Sequence, residues 1–237
     1  MKNINLMNKQ EEEIQEEIKR NAQDQDEDHL PIYDGIVNVE NYLNAPYRIL
    51  WILKEGYDYG DNTGGGWKII SCIANDPNKD LYQDMVKNNY RTFEKISYIS
   101  YSIFNGFISM SEMDEIYENT EIAKSLNSIA YINISKMPAT PKSNNSNIAK
   151  YYEHWKYLLH RQMQSYRPEI IIFAGTFEFF KNDLFIKDEE IKKTKHFEYI
   201  LRGETVYFNA CHPAYWSINN IEYVSDIIDT LRGVYQY

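Results

Sequence analysis

Apolar residues recur along this chain in two rhythms. Residues 48–53, Arg-Ile-Leu-Trp-Ile-Leu, are continuously apolar after the first, the pattern of a strand buried on both faces. Residues 169–174, closed by Gly175-Thr176, repeat that pattern, and 129–135 predicts another strand. Two arms, 197–201 and 205–210, flank Arg202-Gly203-Glu204 and read as a hairpin whose second arm supplies a fourth core strand. Between the strands, mixed spacings of three and four predict helices over 81–107, 111–126, 147–162 and 219–232, the last with Ile221, Val224, Ile228 and Leu231 on one stripe. Arg167-Pro168 ends the third of these, because proline disfavours helix in the residue before it. The charged stretch 181–195 reads as an excursion. Buried strands alternating with helices predict an α/β fold, a three-layer sandwich around a four-stranded, mainly parallel sheet.

Composition changes this picture mainly at the start. The net charge is −10, and half of it lies in the first 30 residues, where nine acidic residues face Lys2, Lys9, Lys19 and Arg20. With few apolar positions among them, residues 1–30 predict an acidic, flexible tail that stays out of the core, leaving 31–237 as a single domain. Two cysteines, Cys72 and Cys211, are too few for a disulfide framework, a zinc site or a four-cysteine cluster. A reduced, cytoplasmic protein without metal or cofactor is the expectation. No stretch approaches the roughly 20 apolar residues of a membrane span, and residues 1–10 lack the apolar core of a signal peptide.

In an open parallel sheet, ligands sit beyond the carboxyl ends of the strands. Here those ends carry Glu55-Gly56-Tyr57, then Asn133 to Lys136, Gly175-Thr176 and Cys211-His212-Pro213. The first strand runs directly into a glycine-rich loop holding Gly64, Gly65, Gly66 and Trp67. Asn133 is a polar residue inside an apolar strand, where its amide must find a partner. His29, His154, His160 and His196 have no ligand spacing and read as structural or surface residues.

In sequence order, Leu53-Lys54-Glu55-Gly56, Tyr131-Ile132-Asn133-Ile134, the Arg167-Pro168-Glu169-Ile170-Ile171-Ile172-Phe173-Ala174-Gly175-Thr176 strand and Ala210-Cys211-His212-Pro213 resemble the uracil-DNA glycosylase superfamily, especially the branch that in many members carries an iron-sulfur cluster. The resemblance covers residues 48 onward. It implies a uracil-DNA glycosylase-like fold, with Glu55 as the water-positioning residue, Asn133 as the amide facing a flipped base and His212 as the leaving-group histidine. The chain departs from the pattern at Lys54, where that branch has glycine, at Gly56, where some branches have aspartate, at Tyr57, where proline is usual, and in lacking the cluster cysteines. The identity of the base therefore stays open.

The chemistry is consistent with those residue types. Breaking an N-glycosidic bond builds positive charge on the sugar and negative charge on the departing base, so it needs an anion stabiliser, a placed water and a base clamp. His212 can donate to a base oxygen, Glu55 can orient water, and Asn133 offers both a donor and an acceptor to a pyrimidine edge. Gly56, Tyr57 and Trp67 complete the base-binding set, the aromatic pair by stacking on an extruded base. Lys136, Lys142 and Asn144 fall in a stretch that reads as a loop suited to the DNA backbone. The expected activity is a monofunctional DNA glycosylase acting on uracil or a modified pyrimidine in single- or double-stranded DNA, for base-excision repair or for defence against phage DNA. The alternatives are a free nucleoside or nucleotide N-glycosidase, and a catalytically degenerate interaction module, which the acidic charge favours because affinity for phosphate comes largely from Lys and Arg.

Overall fold

A computed structural model describes residues 4–25, 29–57, 64–68, 91–139 and 144–236. The described chain is α/β, with seven helices and one mixed seven-stranded sheet. In chain order the elements are α1 (Ile4–Gln25), β1 (Gly35–Ile36), α2 (Val39–Asn44), β2 (Ile49–Tyr57), α3 (Arg91–Phe104), α4 (Glu121–Lys124), β3 (Ala130–Ala139), α5 (Asn145–Tyr166), β4 (Ile170–Ala174), α6 (Phe177–Phe180), β5 (Lys192–Lys193), β6 (Glu198–Arg202), β7 (Thr205–Ala210) and α7 (Asn220–Tyr235). The sheet order is β1-β3-β2-β4-β7-β6-β5.

The four strands legible as apolar runs form the centre of this sheet, and each pairs parallel to its neighbour. The sheet is larger than the four strands expected because antiparallel β1, β6 and β5 extend its edges. Two of these additions are only two residues long, too short to carry any periodic signal. At the amino ends of β2 and β4, Glu169 accepts bonds from the Arg48 main-chain N at 2.7 Å and from its guanidinium at 2.6 and 3.0 Å, which fixes their register.

Alternation along β2 divides the core. Ile49, Trp51 and Leu53 face one cluster with α3, α4 and α7, whereas Leu50 and Ile52 face the other with α1, α2, α5 and α6. Helices therefore cover both faces. On α7 the buried stripe is Tyr223, Val224, Ile227, Ile228 and Leu231. Ile221, expected on that stripe, lies in the first turn and is exposed. The expected helix over 111–126 resolves into 3-10 turns at 110–112 and 125–128 around the four-residue α4. The helix expected over 81–107 lies partly outside the described residues.

The acidic start is the main correction. It is not a tail outside the core: α1 packs against it, with Met7, Glu11, Ile14, Ile18 and Ala22 buried at helical spacing. Arg161 on α5 reaches across to Glu13 at 2.8 Å and to Glu17. The apolar stripe is thin and one of its positions is a glutamate, so the charge concealed it. Among the described residues, no helix is long and apolar enough to cross a membrane.

Candidate functional site

The carboxyl ends of β2, β3, β4 and β7 lie along one edge of the sheet because these strands are parallel. Beyond β4 the chain turns at Gly175, whose φ of +74° suits glycine, and Gly175 N donates to Ala210 O at 2.7 Å. A Cβ at Gly175 would lie 3.5 Å from the His212 main-chain N and 3.6 Å from Lys54 Cε. The Lys54 side chain and the His212 main chain thus both lie against this turn. Its ammonium donates to Asn145 Oδ1 at 3.0 Å, on the first residue of α5.

Two helices hold the loop after β7. Lys95, buried on α3, donates to Pro213 O at 2.6 Å and lies 4.6 Å from the centre of the Tyr223 ring. Tyr223, on α7, donates to Cys211 O at 2.7 Å. Burial pulls the Lys95 ammonium below the usual lysine range.

His212 is half-buried in that loop. Its Nδ1 accepts from Ala214 N at 3.1 Å, which places the proton of the neutral ring on Nε2 and makes Nε2–H a donor. Burial, together with the Lys54 and Lys95 charges, lowers its pKa to about 4 from an ordinary 6.5. The imidazole is therefore uncharged at neutral pH. Because the unfolded ring takes up a proton near 6.5 while the native ring resists until about 4, its share of stability is whole above that window and is lost on acidification through it. In an NMR titration the His212 ring signals are expected to stay those of the neutral form at pH 5.5; a midpoint near 6.5 would contradict this environment.

Alternation puts Glu55 on the same sheet face as Leu53, and Asn133 on that face with Tyr131; in register, Leu53 pairs with Asn133 and Glu55 with Ser135. Glu55 and Asn133 thus share a face of neighbouring strands, whereas His212 follows β7, which two strands, β2 and β4, separate from β3. Asn133 is 1% exposed, and among the described residues its Oδ1 has no hydrogen-bond partner. A buried acceptor left empty is costly. A Cβ on Gly56 would stand 3.6 Å from Asn133 Nδ2, an ordinary contact, but only 2.8 Å from Ile32 Cδ1, so it is the Ile32 side chain that crowds this position. Tyr57 ends β2. Trp67 is half-buried and packs against the core cluster on the α3 and α7 side.

The backbone-contact set fares differently. Lys136 is not in a loop: β3 continues to Ala139, and the Lys136 side chain is wholly buried against Asp34, so no phosphate can reach it. The two prolines and the polar residues further along made this stretch read as a loop too early. Asn144 is exposed and caps α5, its Oδ1 accepting from Ser146 N at 2.9 Å, so the helix begins two residues before the expected 147. Lys142 lies outside the described residues.

No family model matches this chain, and no curated protein matches it.

Along this edge stand a neutral N–H donor at His212, the Lys54 and Lys95 ammonium groups, the Glu55 carboxylate and, among the described residues, the unpartnered Asn133 amide oxygen. Among the described residues, no group of three His, Cys, Asp or Glu side chains is arranged to hold a metal. Sequence reading missed Lys54, Lys95 and the exposed aromatics Tyr215 and Trp216, the latter 83% exposed. Trp216 and Lys95 line a cleft of about 340 Å³ beside Pro213. Two adjacent aromatics one residue after His212-Pro213 were a usable signal; Lys95, on the buried face of a helix, gave none. Both ammonium groups are engaged with protein oxygens, Lys54 with Asn145 Oδ1 and Lys95 with Pro213 O, so that what they bring to the His212 loop is their charge.

Proposed function

We propose that this chain is a DNA glycosylase of the uracil-DNA glycosylase type, hydrolysing the N-glycosidic bond of uracil or a modified pyrimidine flipped out of DNA. The observation that carries the reading is the neutral His212, its Nδ1 occupied by Ala214 N and its ring flanked by Lys54 and Lys95. As the base leaves, Nε2–H donates to its oxygen, and the nearby ammonium charges favour the anion. Asn133 reads the base edge with its free acceptor, and Gly56 lies beside its amide. Glu55 orients the attacking water and supports the positive sugar. Trp216, exposed in the stretch that follows His212, supplies a flat surface for stacking against bases, a role that Trp67, packed on the core, fills less well. The three-layer sandwich with its parallel centre belongs to the same reading, as do repair and phage defence as settings.

A second reading, a hydrolase of free nucleosides or nucleotides, is favoured by the net charge of −10 and by the burial of Lys136. Parallel incubations with oligonucleotides and with free nucleosides separate the two. A glycosylase releases base from DNA with a rate that falls as salt rises under subsaturating conditions, whereas a nucleoside hydrolase shows little salt dependence.

Glu55→Gln keeps the size of the side chain and removes its charge. If the carboxylate activates water, base release at neutral pH is expected to slow by about 100-fold, and the acidic limb of the rate profile should disappear with it. Single-turnover rates across pH provide the measurement. An unchanged profile would remove Glu55 from the chemistry.

A further inference from the structure

Lys136 and Asp34 form an ion pair with no exposed side-chain surface on either partner, the ammonium lying 2.8 Å from each carboxylate oxygen. Desolvating two charges costs much of what their attraction returns, and apolar replacements of similar volume often serve stability as well. Stability alone is a weak reason for such a pair. The remaining bonds point to another. Asp34 Oδ2 accepts from Asn133 N at 2.7 Å, while Lys136 Nζ donates to Asn133 O at 2.8 Å. Both ions therefore hold the same residue. Gln162 on α5 braces them, accepting from Lys136 Nζ at 3.0 Å and donating to Asp34 Oδ1 at 3.0 Å.

The sheet shows why Asn133 needs this. β1 pairs with β3 only at Gly35↔Tyr131 and Ile36↔Ala130, so Asn133 lies beyond the reach of that short strand. A carboxylate and an ammonium stand in for the carbonyl and amide of a longer neighbour. Charge-assisted bonds are shorter and stronger than the neutral ones they replace. Lys136 projects toward the α5 side with Ile132 and Ile134, whereas the Asn133 side chain projects to the opposite face.

We propose that Asp34, Lys136 and Gln162 form a positioning clamp that fixes the backbone of Asn133 from one face of the sheet, so that its amide on the other face is held for selection of a pyrimidine edge. This rests on Asn133 being the base-reading residue. Removing Lys136 alone would leave a buried, uncompensated carboxylate, so the informative variant is Asp34→Leu with Lys136→Met, which removes both charges at similar volume. Asp34→Asn with Lys136→Met is the milder companion, since it also removes both charges and keeps an acceptor for Asn133 N.

Amide hydrogen exchange by NMR reads the clamp without reference to activity. In the Asp34→Leu, Lys136→Met variant, Asn133 N–H is expected to exchange about 100-fold faster while Ile172 in β4 changes little. Where base is released, the ratio of kcat/KM for the preferred pyrimidine over a competitor should fall by about tenfold, with a smaller change in kcat on the preferred base. Should that variant fail to fold, Asp34→Asn with Lys136→Met carries the same comparison, with about tenfold faster exchange expected. Wild-type exchange at Asn133 in a folded variant would overturn the clamp, as would faster exchange with unchanged selection. If the wild-type protein releases no base from any DNA, the glycosylase reading fails, and the exchange rates still decide whether the ion pair holds Asn133.

Discussion

Replacing His212 with alanine is expected to remove about 2 to 4 kcal/mol of transition-state stabilisation, as for loss of one oxyanion donor, while fold and DNA affinity change little. The imidazole is half-buried at the end of β7, with its Nδ1 turned back to Ala214 N and Nε2–H left as the donor. Ala214 is exposed, so water can replace that internal bond in the variant. The charges of Lys54 and Lys95 remain, which limits the loss to the hydrogen bond itself. Single-turnover base release, with product release excluded, measures the effect. A folded His212→Ala protein working at the wild-type rate would remove the histidine from the reaction.

A chain beginning at Leu30 is expected to lose cooperative unfolding or to melt at far lower denaturant. Truncation strips Met7, Ile14, Ile18 and Ala22 from the core and exposes the surfaces of α2 and α5 beneath them. At about 1.5 to 3 kcal/mol for each large apolar side chain, the loss is about 5 kcal/mol or more. That approaches the whole stability of an ordinary domain, about 5 to 15 kcal/mol. Polar ties go with it: Gln15 Nε2 donates to Asp34 O at 2.8 Å, and Arg161 holds Glu13 and Glu17. Equilibrium urea unfolding of the truncated and full chains makes the comparison. Equal midpoints and slopes would show that α1 adds nothing to the domain.

The contrast between α1 and β2 shows what was legible in the sequence. A strand buried on both faces must be apolar at every position, so residues 49–53 announce themselves without help from their partners. A helix that buries one thin stripe shows the sequence mostly its solvent face, and in α1 that face is acidic. β1 and β5 are pairs of residues that exist only because a neighbour offers hydrogen bonds.

The site was legible where position along a strand determines position in space. Glu55 and Asn133 lie within β2 and β3, and His212 lies two residues beyond β7, so the strand pattern alone assigns each of them a place along the sheet. Lys54, Lys95 and Asp34 were not, because their importance lies in what they approach across the fold: the loop of His212 for the first two, the backbone of Asn133 for the third. Lys136 misled for the same reason. A lysine in sequence reads as surface, and only the carboxylate of Asp34 more than 100 positions away makes its burial possible.

The most direct test of the central claim is mass detection of free base after incubation with DNAs that carry uracil, modified pyrimidines or ordinary bases, with His212→Ala run in parallel. The account predicts that the wild-type protein releases a pyrimidine base and leaves an abasic site, and that the variant does so far more slowly. Absence of any released base across the set, from wild-type protein shown to be folded, would contradict it.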